Sequence, residues 1–326
     1  MRPSQPVTSE SDYPSSYRGR IEWIRARRGE RNVVDPQRPY GFFVEEECTA
    51  SGESAAVATV FLTNLECPWT CLMCDLWQYT LTQEVPPGAI PRQIDIALNA
   101  MPPARQIKLY NAGSFFDPRA IPPGDYSSIA ERLRHFERVI VECHPVLVNE
   151  SAVRFRDLLA GKLEVAMGLE TAHPGVLEKL NKGLTLERFK SAAAFLRRHD
   201  IAIRTFILLQ PPFLKPSEAL EWAQRSVEFS FDAGAELAAI IPTRMGNGAL
   251  ESLAASGAFS EPTLSAFEAA MDNALALKRG RVVADLWDIQ RFSKCSHCLA
   301  ARRERLHQMN LRQVIRPRVT CPVCET

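Results

Sequence analysis

Short runs of apolar and β-branched residues alternate along the chain with longer stretches in which apolar residues recur every three or four positions. The runs predict buried strands, and the longer stretches predict amphipathic helices. Seven strands are predicted, at residues 56–65, 106–113, 138–145, 163–171, 202–212, 235–243 and 281–287. Helices are predicted at residues 127–136, 149–160, 174–183, 185–200, 217–234 and 260–280, and a basic helix precedes them all at 18–31.

Strands that alternate with helices form a parallel sheet with the helices outside. The pattern predicts an α/β fold, a partial (β/α)6 barrel of the TIM type, with the basic N-terminal helix at one end and a small metal module at the other. We expect four segments: a disordered tail at 1–17, a basic extension at 18–50, the partial barrel at 51–290 and the C-terminal module at 291–326. Functional residues of such barrels lie at the carboxyl ends of the strands.

Seven of the nine cysteines fall into two groups, and this changes the picture from fold to chemistry. Cys67, Cys71 and Cys74 follow the first predicted strand of the barrel with the spacing C-x3-C-x2-C. Thiolates hold iron–sulfur clusters, and three ligands to a four-iron cluster leave one iron open to a substrate or cofactor. A zinc knuckle that lacks its fourth ligand is the alternative interpretation.

Two C-x2-C pairs near the C-terminus, Cys295 with Cys298 and Cys321 with Cys324, predict a metal site of four thiolates. Structural zinc is the first interpretation of this site, and an auxiliary iron–sulfur cluster is the second. Redox dithiols and a mixed ligand set stay open as further alternatives.

A C-x3-C-x2-C loop after the first strand of a partial barrel resembles the radical S-adenosylmethionine (SAM) superfamily, over about residues 55–290. The resemblance implies that Cys67, Cys71 and Cys74 hold a [4Fe–4S] cluster whose open iron binds SAM. It further implies that one electron from the cluster cleaves SAM and that the 5′-deoxyadenosyl radical abstracts hydrogen from a substrate. Met73 departs from the family, which commonly has an aromatic residue before the last cysteine.

The same resemblance assigns SAM contacts to residues after the next three strands. The family's glycine-rich turn is matched by NAGS, that is, by Asn111, Ala112, Gly113 and Ser114. Glu142 resembles an acidic residue directed toward SAM, and Glu170 resembles a residue that binds the ribose. Lys182 stands where related enzymes have an arginine that faces the methionyl carboxylate. The alternative interpretation is an ordinary turn and solvated charges at the ends of elements.

Two residues that follow Glu142 are weak catalytic candidates. The thiol of Cys143 could donate a hydrogen atom, and the imidazole of His144 could move a proton. Packing in the interior is the alternative for both.

The net charge of +1 gives no argument from the whole chain for a nucleic acid or membrane partner. Arginines are nevertheless concentrated at 18–31 and between the two C-terminal cysteine pairs, which is typical of contacts with RNA phosphates. A solvated helical face is the alternative. The strings KLYNAGSFFD, VECHP and GLET resemble most the branch that holds the archaeosine-forming tRNA enzymes and the Elongator catalytic subunit.

That resemblance implies a tRNA nucleoside as substrate. The same chemistry on a small metabolite or peptide is one alternative, and a non-catalytic metal-binding RNA adaptor is another. The longest nearly apolar run, 55–65, is too short to span a bilayer, and the polar N-terminus lacks the apolar segment of a signal peptide. We therefore expect a cytoplasmic protein without a membrane partner, reduced by a flavodoxin or ferredoxin-like one-electron donor.

Overall fold

A computed structural model describes residues 12–324, and its centre is one sheet of eight strands in the order β1 to β8. The strands are β1 (Gly41–Cys48), β2 (Ser54–Leu62), β3 (Gln106–Asn111), β4 (Arg138–Glu142), β5 (Lys162–Glu170), β6 (Ala202–Leu209), β7 (Leu237–Pro242) and β8 (Arg281–Ala284). β2 to β8 run parallel, and β1 pairs antiparallel with β2 at one edge. All carboxyl ends of the parallel strands consequently lie at one end of the sheet.

Helices cover the outer face of this sheet. They are α1 (Tyr17–Arg25), α2 (Ala89–Ala100), α3 (Tyr126–Arg132), α4 (Glu150–Leu158), α5 (Pro174–Lys179), α6 (Leu186–Arg198), α7 (Ala219–Asp232), α8 (Ala249–Ala255), α9 (Leu264–Ala276) and α10 (Ser296–Arg312). All of the predicted strands and helices are present, with ends shifted by a few residues. The predicted α/β partial barrel with its cysteine module is therefore confirmed.

Alternation along the strands separates an outer apolar face from an inner face that is largely polar. The outer face of the strands joins the helices in one large core, to which Leu109, Val141 and Val165 contribute from the sheet and Phe189 and Phe267 from the helices. The described part of the chain contains no helix that is both long enough and apolar enough to cross a membrane.

Strand β1 was not predicted, because its sequence contains three consecutive glutamates and charged residues are rare in strands. Two of them lie on the inner face of the barrel, where they meet a buried cation. Glu45 and Glu47 both accept hydrogen bonds from the Lys108 ammonium, with a distance of 2.8 Å from Lys108 Nζ to Glu45 Oε1. Tertiary ion pairs thus stabilise a strand that the local sequence preference does not predict.

The amino-terminal end of the barrel interior is filled by paired charges. Arg204 donates to Glu164 at 2.7 Å and contacts Glu47 at 3.2 Å, and Arg138 donates to Glu164 at 2.7 Å. Burial raises the pKa of Glu47, but Arg204 and Lys108 outweigh this effect and lower it to about 2. Because these charges satisfy one another, we interpret them as a closed floor of the barrel, and a ligand must approach from the opposite end.

Helix α10 covers the free edge of the last strand. The side-chain amide of Asn310 pairs with both backbone groups of Ala284, at 2.7 and 2.9 Å, and Gln313 does the same for Val282, at 2.8 and 2.9 Å. An uncovered edge strand would present unpaired N–H and C=O groups to solvent or to other chains. The side-chain amides of Asn310 and Gln313 therefore pair with the edge of β8 as the backbone of a ninth strand would.

The predicted disordered tail, 1–17, lies largely outside the described residues. Within the described part, the Tyr13 hydroxyl donates to the Lys179 carbonyl at 2.7 Å, and its ring packs on Trp23 at 5.0 Å between centroids. Ser16 caps α1 by accepting from the Gly19 N–H at 3.1 Å. These contacts attach residues 13–16 to the barrel. The division into four segments stays a prediction.

Candidate active site

The three-cysteine loop lies directly beyond the carboxyl end of β2, at the barrel mouth. Its backbone is fixed by two buried asparagines from other loops: Asn181 Nδ2 donates to the Thr70 carbonyl at 2.9 Å, and Asn247 Nδ2 donates to the Leu72 carbonyl at 2.7 Å. The Leu72 N–H in turn donates to the Leu180 carbonyl at 2.9 Å. These contacts hold the loop through its backbone, so its three thiols stay available as ligands.

The thiols of Cys67, Cys71 and Cys74 are free and partly buried. Burial raises the pKa of each to about 12, while the Lys182 ammonium acts in the opposite direction on Cys67 and Cys71. Metal binding requires thiolates and therefore releases protons. This pocket favours thiolates when a positively charged metal group compensates for burial, which fits a metal cluster.

The NAGS turn contacts the cysteine loop. A Cβ atom added to Gly113 would lie 3.7 Å from Cys67 Cβ and 3.4 Å from Asn64 Nδ2, so the backbone passes close to the first cysteine. Both polar atoms of the Asn111 side chain are buried without a partner among the described residues. Buried polar groups in folded proteins are almost always hydrogen-bonded, so this amide is suited to a polar ligand. The Ser114 hydroxyl instead accepts from the His144 N–H at 2.6 Å.

Glu142 ends β4 beside this turn. Its carboxylate accepts one hydrogen bond, from the Asn111 N–H at 3.0 Å. Burial raises its pKa from 4.5 to about 8, despite that hydrogen bond and the Lys182 charge, which both lower it. A carboxyl group in this state gains an ionic partner when a cation enters the barrel mouth.

Glu170 and Lys182, predicted as separate SAM contacts, form an ion pair. Lys182 Nζ lies 2.7 Å from Glu170 Oε1, and both side chains are buried. Burial lowers the pKa of Lys182, but the Glu170 carboxylate outweighs this effect and raises it above its usual value. Glu170 has a φ of 67°, a left-handed conformation that is uncommon outside glycine and often marks a functional position.

Gly168 makes room for this ion pair. A Cβ atom at position 168 would lie 2.5 Å from Lys182 Nζ and even closer to Glu170 Oε1. Sequence reasoning missed this glycine, although it stands in the GLET string used to find Glu170.

The contacts of the two weak catalytic candidates favour the packing interpretation. Cys143 is buried in the core between sheet and helices, and its thiol donates to the His144 carbonyl at 3.2 Å. The His144 ring stacks on Trp69, with centroids 3.7 Å apart. Its Nδ1 accepts from the Val146 N–H at 3.2 Å, so Nε2 carries the proton and donates to the Lys182 carbonyl at 3.0 Å. Burial, aided by Lys182, lowers the pKa of His144 to about 3.

The four C-terminal cysteines come together as predicted, with all four sulfur atoms within 4.8 Å of one another. Sγ of Cys295 lies 4.0 Å from Sγ of Cys321, and Sγ of Cys298 lies 3.7 Å from Sγ of Cys324. A tetrahedral ion with Zn–S bonds of about 2.3 Å separates its sulfur ligands by about 3.8 Å. This spacing therefore fits one metal ion bound by all four thiolates.

Most N-terminal arginines are used inside the protein. Arg28 donates to Glu66 at 2.6 Å, and Arg31 binds the other oxygen of the same carboxylate, directly before Cys67. Arg20 is buried and pairs with Glu178 at 3.1 Å. The predicted RNA-binding character of this segment is thus weakened, because these cations attach α1 and the chain after it to the barrel mouth.

The C-terminal arginines divide into two sets. Arg302 pairs with Glu268, and Arg305 and Arg318 pair with Asp272. Arg303, Arg312 and Arg316 are exposed to solvent, and Arg318 is 66% exposed despite its contact with Asp272. The second set remains suitable for contact with an anionic partner.

No family model matches the chain. An uncharacterized protein of Methanocaldococcus jannaschii is 22% identical over 251 residues, which cover 72% of this chain and 69% of that protein. Archaeosine synthase subunit beta of Methanosarcina acetivorans is 28% identical over 192 residues, 55% of each chain. The protein of the same name from Thermococcus kodakarensis is 32% identical over 127 residues, 37% of this chain and 39% of that one. The matches thus span about half, or less, of the two relatives that carry a functional name.

Solved structures give further similarities at low identity. Elp3 of Methanocaldococcus infernus is similar over 68% of this chain and 58% of that one, with 14% identity and a TM-score of 0.49. Coproporphyrinogen III oxidase (HemN) of Escherichia coli, a radical SAM enzyme, is similar over 83% and 59%, with 12% identity and a TM-score of 0.44.

These names agree with the resemblance predicted from the sequence. The predicted resemblance is therefore confirmed at the level of similarity: the named sequence relatives are archaeosine synthase beta subunits, in the branch that the short strings indicated.

Replacing Gly168 by alanine should disrupt the Glu170–Lys182 pair. The added methyl group overlaps both side chains, so we expect a loss of about 1–3 kcal/mol in the free energy of unfolding, measured by urea denaturation. Gly175→Ala is the matched control, because its Cβ atom would lie at an ordinary distance of 3.5 Å from the nearest atom, in His173. Equal stability of the two variants would contradict the tight fit.

Replacing Glu142 by glutamine should change how stability depends on pH. The folded protein holds the Glu142 proton up to a pKa of about 8, whereas the unfolded chain loses it near 4.5. The stabilisation from this group is therefore complete below pH 4.5 and is lost as the pH rises to about 8. From pH 6 to 9, the free energy of unfolding should fall more in the wild type than in Glu142→Gln, by at least about 1 kcal/mol. Parallel pH profiles in urea denaturation would disprove the assignment.

Proposed function

We propose that the protein is a radical SAM enzyme whose active site is the mouth of the partial barrel. Cys67, Cys71 and Cys74 would hold a [4Fe–4S] cluster, and the turn Asn111 to Ser114 would face the SAM bound beside it. One observation carries the proposal: the cysteine loop, an unpartnered buried amide and an uncompensated carboxyl group meet at the carboxyl ends of β2, β3 and β4. When bound, the cluster supplies the electron that cleaves SAM.

The polar groups at the mouth complement the charges of SAM. Glu142 would accept from the ammonium group, because this carboxyl forms no ion pair within the described residues, although the Lys182 charge lowers its pKa. Asn111 would give its unpartnered amide to the same ligand. The Glu170–Lys182 pair offers a carboxylate to the ribose hydroxyls and an ammonium to the methionyl carboxylate, while each keeps the other charged.

The substrate in this proposal is a nucleoside within tRNA. Two relatives are named as subunits of archaeosine synthase, and three arginines of the C-terminal segment, Arg303, Arg312 and Arg316, are exposed. Arginine is well suited to phosphate, since its planar group makes paired hydrogen bonds. A one-electron donor of the flavodoxin or ferredoxin type would reduce the cluster.

The C-terminal cysteines would hold structural zinc. The four sulfur atoms lie at the spacing of a single tetrahedral ion, whereas a four-iron cluster distributes its thiolates over separate irons. Cys295 is the residue that precedes α10, and Cys298 lies in the first turn of this helix. The ion would therefore anchor the helix that covers the edge of β8.

The proposed activity predicts 5′-deoxyadenosine as a product. After anaerobic reconstitution and reduction in the presence of SAM, we expect this nucleoside to form and Cys71→Ala to abolish it, because the cluster loses one of three ligands. Cys48→Ala is the matched control, since Cys48 is a buried cysteine outside both groups. Chromatography with mass detection measures the product. Absence of product from a wild-type protein that contains four irons would reject the proposal in favour of an RNA adaptor.

The proposed zinc site predicts one zinc per chain in addition to the cluster iron. Cys298→Ser should lower the zinc content to near zero and reduce the melting temperature, because α10 loses its anchor and β8 its cover. The iron of the three-cysteine loop should be retained in this variant. Elemental analysis beside thermal denaturation checks both results. About eight irons without zinc in the wild type would identify an auxiliary cluster instead.

A further inference from the structure

A stack of three aromatic rings borders the barrel mouth, and the proposed chemistry makes no use of it. Tyr40 lies between Phe61 and Tyr79, with ring centroids 5.4 Å from Phe61 and 5.0 Å from Tyr79. The ring planes are inclined by only 23° and 18°, so the three rings are nearly parallel. The backbone secures the order, because the Tyr40 N–H donates to the Phe61 carbonyl at 3.0 Å. We call these three residues the aromatic stack.

The outermost ring of the aromatic stack is exposed. The Tyr79 residue is 39% exposed, a large fraction for an aromatic side chain held by a neighbouring ring. Parallel stacking leaves one flat face of the last ring available to a further planar group. The aromatic stack therefore has the form of a platform that a flat ligand can extend.

The aromatic stack lies beside the proposed cluster. Tyr79 ends the short helix Leu76–Tyr79, which begins two residues after Cys74 in the chain. Burial raises the pKa of Tyr40, and the charges of Glu142 and Asp75 raise it further, as expected for a ring that faces the same mouth as Glu142. A ligand on Tyr79 would consequently lie at the rim of the proposed active site.

The inner wall of the barrel continues this aromatic surface. Phe43 lies 5.9 Å from Phe61, and Tyr110 meets Phe206 edge to face at 6.0 Å, measured between centroids. These side chains are only half-buried, although they project from the inner face of the sheet. Apolar rings that keep solvent contact inside a barrel are suited to a ligand that covers them.

We propose that the aromatic stack binds one nucleobase of an RNA substrate, with the base stacked on the ring of Tyr79 at the entrance to the barrel. This inference rests on the proposed function, since it identifies what the radical site receives. A nucleobase is planar and presents a face to any aromatic ring, and such stacking is a general mode of binding unpaired bases. Arg38 lies two residues before Tyr40 and is exposed, so it can accompany the base by contacting a neighbouring phosphate.

The base must leave the helical stack of the RNA to reach this platform. Enzymes that modify a base inside folded nucleic acid commonly extrude it into a pocket that compensates for the lost stacking. Here the aromatic stack would compensate at the rim, and the aromatic inner wall would receive the base near the cluster. The inference therefore assigns the substrate class as an extruded nucleobase, in contrast to a peptide or an aliphatic metabolite.

The test compares three substitutions at Tyr79, one at Arg38 and one control on the reconstituted protein of 326 residues. Binding of fluorescein-labelled unfractionated tRNA is measured by anisotropy at fixed salt, and SAM cleavage without RNA is measured separately. Tyr79→Phe and Tyr79→Trp keep a ring, whereas Tyr79→Leu keeps an apolar side chain without one. Phe42→Ala is the matched control, because Phe42 lies on the neighbouring strand, is 37% exposed and is directed away from the barrel interior.

We expect the Kd for tRNA to rise roughly five- to 150-fold in Tyr79→Leu, since one stacked base contributes about 1–3 kcal/mol. The Phe and Trp variants and Phe42→Ala should stay within about twofold of the wild type. Arg38→Ala should reduce the slope of log Kd against log salt concentration by about 1, because one phosphate contact is lost.

Unchanged tRNA binding in Tyr79→Leu, or equal weakening in all three Tyr79 variants, would overturn the inference. The same holds for a wild type that cleaves SAM but binds no tRNA, and this result would leave the proposed radical chemistry intact. A wild type that cleaves no SAM would contradict the proposed function, and the binding comparison would still decide whether Tyr79 stacks on a base.

Discussion

The parallel register of β2 to β7 is the constraint on which the candidate active site depends. Residues that lie far apart in the chain meet because each of them follows a strand whose carboxyl end points in the same direction. The cysteine loop follows β2, the NAGS turn follows β3, and Glu142 and Glu170 end β4 and β5. A change of direction in any one of these strands would move its functional residues to the opposite end of the barrel.

The two ends of the barrel differ in how completely their buried polar groups are paired. At the floor, Glu164 is fully buried and is paired with both Arg138 and Arg204, so its charge is compensated within the protein. At the mouth, Glu142 has no such partner, and the amide of Asn111 is buried and unpaired in the described structure. Unsatisfied buried groups are costly for folding unless a ligand satisfies them. This contrast, more than any single residue, makes the mouth the candidate binding site.

The sequence predicted local features well and contacts between distant residues poorly. The spacing of the cysteines predicted that the four C-terminal thiols would come together, because each C-x2-C turn brings two thiols close to each other. The periodicity predicted the parallel strands, because they are buried by helices and therefore strongly apolar. Strand β1 was not predicted, because its glutamates are balanced by Lys108, a residue distant in the chain. Helix α10 was not predicted, because it is largely polar and contacts a strand edge through the side chains of Asn310 and Gln313.

The roles predicted for charged residues differ most from the contacts that these residues make in the structure. Arginines near the N-terminus resembled an RNA-binding stretch, yet Arg28 and Arg31 hold Glu66 beside the cysteine loop. Glu170 and Lys182 were predicted as two independent ligand contacts, yet they form an ion pair with each other. This pair fits only because residue 168 is a glycine without a side chain. Partners of a charged residue depend on tertiary contacts, and a linear pattern contains no information on them.

The central claim is that the open position on the loop cluster binds SAM at the mouth formed by Asn111 and Glu142. Electron paramagnetic resonance of the reduced protein, with SAM labelled by 15N in its amino group, tests this most directly. The claim predicts a cluster signal that shifts on addition of SAM and shows hyperfine coupling to the 15N nucleus. A cluster signal that is identical with and without saturating SAM, and that shows no such coupling, would contradict it.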